Sequence, residues 1–248
     1  MSRDRSGLRL LFLGTGASGG TPGRGRSRRR ESSMLLDGPA RILVDVTRDF
    51  DDQVGAWPSL DAVLLTHAHR DATGGIPKLA RWLAGRQAAP VRVLAHPGTV
   101  EALHRRHRRL DRLAFETVVP GRTRRVGPVR VQPCEVPHAT DAVTYAWRLR
   151  VGDVSVVYAS DVATPTPELR RFARGAALLV VDGATWRRRI PSHLRVDQDL
   201  PGLCDWDVGG ILLTQIGRSA PPHPELARRV RAICPRATPA HDGLALTL

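Results

Sequence analysis

Long apolar runs are missing from this 248-residue chain. None approaches the roughly 18 residues that a bilayer-spanning helix needs, so no membrane partner is expected. Cysteine is scarce too. Cys134, Cys204 and Cys234 are odd in number and far apart, which argues against the disulfide framework of a small secreted domain. Reduced thiols and a cytoplasmic location are the expectation. The start, MSRDRSGLRLLFLG, has no apolar core with a small-residue cleavage site ahead of its first apolar run, so no secretory leader is expected. No Pro-rich or Ser/Gly-rich linker divides the chain, which predicts one domain over residues 1–248.

Negative charge is also in short supply. Asp and Glu number 24 against 38 Lys and Arg, a net charge of +14, and nearly all the basic residues are arginine. Such a field favours anionic ligands, either small phosphorylated substrates or nucleic acid. The basic clusters are GRGRSRRR (23–30), HRRHRR (104–109), RTRR (122–125) and WRRR (186–189). HRRHRR falls in an expected helix and suits a solvated face. GRGRSRRR follows a glycine-rich turn after the first strand, a place where loops meet ligands. Aromatics make up 4% of the chain, and its five tryptophans are too scattered for a stacking platform. Trp186, beside Arg187–Arg189 and shortly before His193, is the one expected to touch substrate.

With 42% hydrophobic residues there is material for a core. Short apolar, β-branched runs recur at 8–14, 41–46, 62–66, 91–95, 143–151, 154–159, 177–182 and 211–216. Segments of helical spacing with start signals lie at 76–84, 97–110, 166–173 and 222–233. The class is α/β. Strands come in runs near the start and again at 123–160, so a mixed sheet, or two packed sheets with helices outside, fits better than a doubly wound parallel sheet. GTGASGG (14–20) is not followed by a helical segment and is not a dinucleotide loop.

The stretch THAHRDATGG (66–75) carries the chemistry. His67 and His69, two apart in an extended segment, project to one side, and Asp71 continues that side. Imidazole and carboxylate suit zinc, manganese or iron, and a catalytic zinc keeps a position open for water. His138 in VPHAT and Asp161 in YASDV stand at the ends of later apolar strands, where a rigid scaffold can present ligands.

Together with FLGTGASGG, RILVDV, LLTQIGRSAPPH and HDGL, these pieces resemble the metallo-β-lactamase-fold hydrolases. That family's signature is His-x-His-x-Asp-His, then a lone His, a bridging Asp and a last His. The resemblance spans nearly the whole chain. Its layout is most similar to the phosphonate-pathway cyclic phosphodiesterases and, more distantly, to the tRNA 3′-processing endonucleases. It implies a four-layer αββα sandwich of two mixed sheets, with metal at one edge between them. It also implies that His67, His69 and His138 bind a first metal, and that Asp161 bridges toward a second held partly by Asp71.

Three positions depart from that pattern. The histidine after Asp71 is Ala72, and the last histidine is Gln215. Asp71, Asp161 and the amide oxygen of Gln215 would be left for a second ion, a weaker set for zinc. One tightly bound Zn²⁺ or Mn²⁺ at His67, His69, His138 and Asp161 is expected, with the second ion left open. The relatives' structural zinc site, a cysteine cluster completed by a histidine, reads GRGRSRRR and Arg218 here, so no structural zinc is expected and a basic loop takes its place.

A single metal ion lowers the pKa of its water to about 7 and supplies hydroxide. Asp71 would orient that water or act as its base, and a separate acid must protonate the leaving oxygen. His193 in PSHLRVDQD resembles the His-Leu-Ser-type helix start that gives the phosphodiesterase relatives a substrate-facing histidine; the alternative is a helix-capping or surface histidine. Asp45 is expected to hold the second N–H of a ligand imidazole, and Asp182 to serve similarly. His223 and His241 either replace a lost ligand or sit at a helix start and on the pocket rim. His96, His104 and His107 are taken as structural or surface residues.

The expected activity is metal-dependent hydrolysis of a small or cyclic phosphodiester. The alternatives are a nuclease or RNA-processing enzyme, or a non-hydrolytic metabolite-binding or biosynthetic member with a reduced metal site. A carbonyl substrate would suit the same hydroxide. A homodimer is left open.

Overall fold

The computed structural model describes residues 8–86 and 89–248; the opening MSRDRSG, inspected above for a leader, lies outside the described residues. The strands are β1 (Arg9–Gly14), β2 (Ser33–Asp37), β3 (Arg41–Val44), β4 (Ala62–Leu64), β5 (Val91–Ala95), β6 (Leu113–Thr117) and β7 (Arg124–Val126). They continue with β8 (Val129–Ala139), β9 (Ala142–Val151), β10 (Val154–Ala159), β11 (Ala176–Asp182), β12 (Val208–Thr214), β13 (Ala237–Pro239) and β14 (Ala245–Thr247). The helices are α1 (Phe50–Gln53), α2 (Arg70–Thr73), α3 (Ile76–Ala84), α4 (Pro97–Arg106), α5 (Pro167–Ala173), α6 (Val196–Cys204) and α7 (His223–Ile233).

The strands make two seven-stranded sheets, ordered β14-β1-β2-β3-β4-β5-β6 and β13-β12-β11-β10-β9-β8-β7. Both are mixed. In the first, β14 through β3 pair antiparallel and β3 through β6 parallel. In the second, β7 through β10 pair antiparallel and β10 through β13 parallel. The order β4-β5-β6 reflects helical crossovers, which parallel neighbours require.

Each strand's two-residue period sorts its side chains between two cores. Leu10, Phe12, Ile42 and Val44 enter a central cluster with Trp147, Tyr158 and Val180 of the facing sheet. Leu13, Leu43 and Val63 point the other way, against Phe50, Ile76, Leu79, Leu83 and Leu103 of α1, α3 and α4. Val157, Leu179 and Leu213 turn to the opposite outer face, under Leu169, Leu200, Leu203, Leu226 and Val230 of α5, α6 and α7. The result is the four-layer αββα sandwich.

All eight apolar runs lie on strands and β7 and β8 fall in the expected stretch 123–160, whereas β2, β6, β13 and β14 escape the sequence pattern. HRRHRR is only half helical, because α4 ends at Arg106. The cysteine expectation needs correction: Cys204, at the end of α6, is bonded to Cys234, just past α7, and only Cys134 is a free thiol. The two helices pack side by side and bring together residues 30 apart in sequence.

Candidate metal centre

One edge of the sandwich collects the chemistry. The segment after β4 leaves the first sheet and is tied to the second, where Trp147 Nε1 donates to the Leu65 carbonyl at 3.0 Å and the Tyr145 N–H to the Thr66 carbonyl at 2.8 Å. His67 and His69 follow. The stretch is not extended throughout, because α2 begins at Arg70 and Asp71 lies in its first turn. Asp71 Oδ1 comes 3.8 Å from His67 Nε2. His138 arrives on β8, Asp161 just after β10, and Gln215 just after β12.

Each of the three imidazoles has one nitrogen engaged from behind. Asp45 accepts the Thr66 backbone N–H at 2.8 Å and the Thr66 hydroxyl at 3.0 and 2.9 Å from its two oxygens. With its proton given to Asp45, that hydroxyl accepts from His67 Nδ1 at 2.9 Å. Asp45 therefore does not touch an imidazole, as the sequence suggested; Thr66 stands between them. His69 Nε2 donates to Asp141 at 3.1 Å, and His138 Nδ1 to the Ser192 carbonyl at 2.7 Å.

The nitrogens left over are His67 Nε2, His69 Nδ1 and His138 Nε2. The rings sit in mutual contact, with centroids 4.6 to 5.4 Å apart. Candidate ligand atoms of His67, His69 and His138 fall within 4.8 Å of one another, as do those of His138, Asp161 and His193 and of His67, Asp71 and Asp161. His67 Nε2 is buried and has no hydrogen-bond partner. An orphaned lone pair facing two more nitrogens and a carboxylate is a costly arrangement unless a cation completes it. The residues present fit a divalent metal ion.

Gln215 departs from expectation. Its amide nitrogen, not its oxygen, faces the carboxylates, and it donates to Asp161 Oδ1 at 2.7 Å and to Asp71 Oδ2 at 3.3 Å. Its backbone is held at φ 56° and its N–H donates to Ser32 Oγ at 2.8 Å. Asp45, at φ 62°, is the other non-glycine residue with positive φ among the described residues. Both follow strands that run into this edge, a cost tolerated where the surroundings fix the backbone.

His193 lies in the turn before α6, beside His138 at a ring distance of 5.0 Å. Its Nδ1 donates to Asp182 Oδ2 at 2.6 Å. Asp182 thus supports His193 rather than one of the other three imidazoles, and it also accepts N–H groups from Val162 and Ala184.

Electrostatics separate these groups. Burial lowers the His67 pKa to about 4, so the ring is neutral. Burial raises Asp71 to about 6, helped by the charges of Asp161 and Glu31. For Asp161 the upward push of burial is outweighed by His67, His138 and His193, which hold it below the usual carboxylate range. Burial would lower His193, but the Asp182 hydrogen bond and charge carry it up to about 9. A neutral ligand ring and a protonated histidine therefore lie within one cluster.

Other singled-out residues fall elsewhere. Trp186 is no substrate contact: it is buried in the outer core of the second sheet, with the Arg229 guanidinium 5.8 Å from its ring centroid. His223 opens α7, and its Nδ1 meets the Arg29 guanidinium at 2.9 Å; His241 packs against it. Neither belongs to the metal cluster. His96 caps α4 by accepting the Gly98 N–H at 3.0 Å. Within GRGRSRRR, Arg29 is buried and also bonds Thr15 Oγ1 and the Ala240 carbonyl. Arg218 donates to the Gly19 and Gly20 carbonyls.

Sequence reasoning missed Thr66, Asp141 and Ser192. Thr66 adjoins His67, and Asp141 sits in the turn between β8 and β9, but only the folded chain shows which imidazole each serves.

The β-lactamase superfamily domain model matches residues 40–214. A ribonuclease Z of Bradyrhizobium sp. (strain ORS 278) is 28% identical over 304 residues, covering 96% of this chain and 99% of that protein. An octanoyltransferase of Porphyromonas gingivalis is 25% identical over 261 residues, covering 96% of this chain, which spans only about half (51%) of that protein's length. Among solved structures, a diphosphatase from the PhnP family superposes with TM-score 0.85 at 22% identity, over 98% of this chain and 97% of the other. Zn²⁺-bound PqqB from Methylobacterium extorquens gives 0.81 at 21% identity, over 97% and 100%. At these identities both structures are likenesses of fold.

Proposed function

The chain belongs to the β-lactamase superfamily, and from that premise we propose that it is a metal-dependent hydrolase of a small or cyclic phosphodiester, working with one tightly held divalent ion. The convergence of His67, His69 and His138, with Asp161 grouped with His67 and with His138 on the adjoining side, carries this proposal. Zinc suits the three nitrogens best, with manganese as the alternative. Phosphorus chemistry is supported by the net charge of +14 and by relatives named as a diphosphatase and a ribonuclease Z. The protein is taken as one domain acting in the cytoplasm, with a homodimer as the assembly to test.

When bound, the ion supplies a water whose pKa is lowered to about 7. Asp71 faces the centre, with Oδ1 3.8 Å from His67 Nε2, so it can orient the attacking water and take its proton. As the new P–O bond forms and the old one breaks, the leaving oxygen takes a proton from His193 Nε2. Asp182, fixed by two backbone N–H groups, keeps that imidazole aimed and charged.

The test is hydrolysis of bis(p-nitrophenyl) phosphate and of cyclic nucleotides by protein reconstituted with zinc or manganese. Turnover in the wild type and loss of it in His67→Ala are expected; wild-type and variant rates that agree under every metal would refute the proposal. RNA cleavage is the second proposal, favoured by the ribonuclease Z relative, which this chain matches over nearly its full length. It requires RNA affinity to fall steeply with salt, as released counterions dictate; a flat salt dependence removes it.

A further inference from the structure

Away from the metal centre, Arg24, Arg26 and Arg231 line a cavity of about 780 Å³ together with His223 and His241. No Asp or Glu is among the lining residues. Elsewhere arginines find partners: Arg41 pairs with Asp37, Arg92 and Arg124 with Glu116, and Arg229 with Glu225. Among the described residues, none of the three cavity arginines makes an ion pair. The acidic residues adjoining the lining in sequence are committed: Glu225 to Arg229, and Asp242 to Thr15 and the Arg30 N–H.

Unpaired like charges on a convex surface are ordinary. Arg24, Arg26 and Arg231 are exposed, but because they line one concavity they reinforce one potential, which an anion relieves. Of the three arginines Arg26 reaches His223, whose pKa is pushed down to about 4 by burial, then Arg29, His241 and Arg26. Because His223 Nδ1 accepts from Arg29, its proton sits on Nε2, leaving that atom as a donor. Ser27 and Thr238 add two hydroxyls, and Pro224, Pro239 and Leu244 offer an apolar surface for a flat ring. The volume lies in the range of small-molecule sites.

We infer that this cavity is a second ligand site that binds a phosphate-bearing organic anion of nucleotide size, its phosphate among Arg24, Arg26 and Arg231 and its ring on the Pro224–Pro239–Leu244 wall. No residue of the metal cluster lines it, so the site is independent of the proposed hydrolysis. Arginine suits the role through its planar, multiply donating guanidinium.

Isothermal titration calorimetry of the full chain with AMP, and with inorganic phosphate, tests this. AMP should bind with one-to-one stoichiometry and more tightly than phosphate. Binding should be equal in wild type and His67→Ala, both treated with chelator, and at least about 10-fold weaker in Arg26→Gln/Arg231→Gln. Ala227→Glu, which places a carboxylate in the cavity, should abolish it, with thermal melting used to verify that each variant is folded. The inference is overturned if wild type does not bind AMP at millimolar concentration, if Arg26→Gln/Arg231→Gln binds it undiminished, or if His67→Ala loses it. Affinity that appears only with oligonucleotides and grows with their length would also overturn it, in favour of a nucleic-acid track.

Discussion

The amide nitrogen of Gln215 lies 2.7 Å from Asp161 Oδ1 and 3.3 Å from Asp71 Oδ2, and donates to both. Two carboxylates that could share a cation instead share a neutral donor. Ala72, buried beside them, offers no ligand. On the proposed one-metal reading the two departures from the family pattern act as one: Ala72 supplies no nitrogen to a second ion, and Gln215 puts N–H groups where that ion would bind.

The acid role of His193 has a leaving-group signature. His193→Ala should lower kcat about 100-fold on a diester with an alkoxide leaving group, within the range of general acid catalysis. Bis(p-nitrophenyl) phosphate, whose phenolate departs without a proton, should lose far less. Equal losses on the two substrates would rule out proton donation.

Thr66 should matter through His67 alone. Thr66→Val breaks the path from Asp45 to the imidazole and leaves a buried carboxylate short of a donor. Zinc affinity should fall about 10- to 100-fold, as for other groups that orient a ligand. Thr66→Ser, which keeps the hydroxyl, should restore it. Competition with a chromophoric chelator measures both, and a Thr66→Val affinity equal to wild type would show the path to be incidental.

The residues that the structure gathers at this edge were legible in the sequence, because they stand where apolar strands end: His67 and His69 after β4, His138 on β8, Asp161 after β10. Four strands were not legible, since β2, β6, β13 and β14 are short and break their apolar residues with Ser33, Glu116, Thr238 and Thr247. β14 forms only because the chain returns to β1, and β13 because α7 carries the chain back beside β12. The loss at Gln215 could be read from the sequence, but not that its nitrogen faces the carboxylates. Trp186 looked like a contact from its arginine neighbours, yet its ring is drawn under α7.

His223 gives the pH profile a definite sign. Its pKa falls from an ordinary 6.5 to about 4 on folding, so between those values the unfolded chain binds the extra proton. Stability should therefore decline as pH drops from 6.5 to 4 and level off below. His223→Gln, which keeps an acceptor for Arg29, should flatten the decline, while Asp242, His241 and Arg26 contribute equally to both proteins. Thermal melting across this range measures it, and parallel profiles for wild type and variant would contradict it.

The Cys204–Cys234 bond predicts one titratable thiol, Cys134, in protein denatured without reductant. Closing a loop of this length contributes about 3–4 kcal/mol in chain-entropy terms, so dithiothreitol should lower the urea midpoint. Three thiols without reductant would show the pair to be reduced and favour the cytoplasmic location.

Metal content tests the central claim most directly. Protein saturated with zinc, freed of excess and measured by inductively coupled plasma mass spectrometry should hold one ion per chain, and His67→Ala none. Ala72→His/Gln215→His should rise to two. Two tightly held ions in the wild type, or none at saturating zinc or manganese, would contradict a centre built around one metal with the Gln215 amide in place of the second.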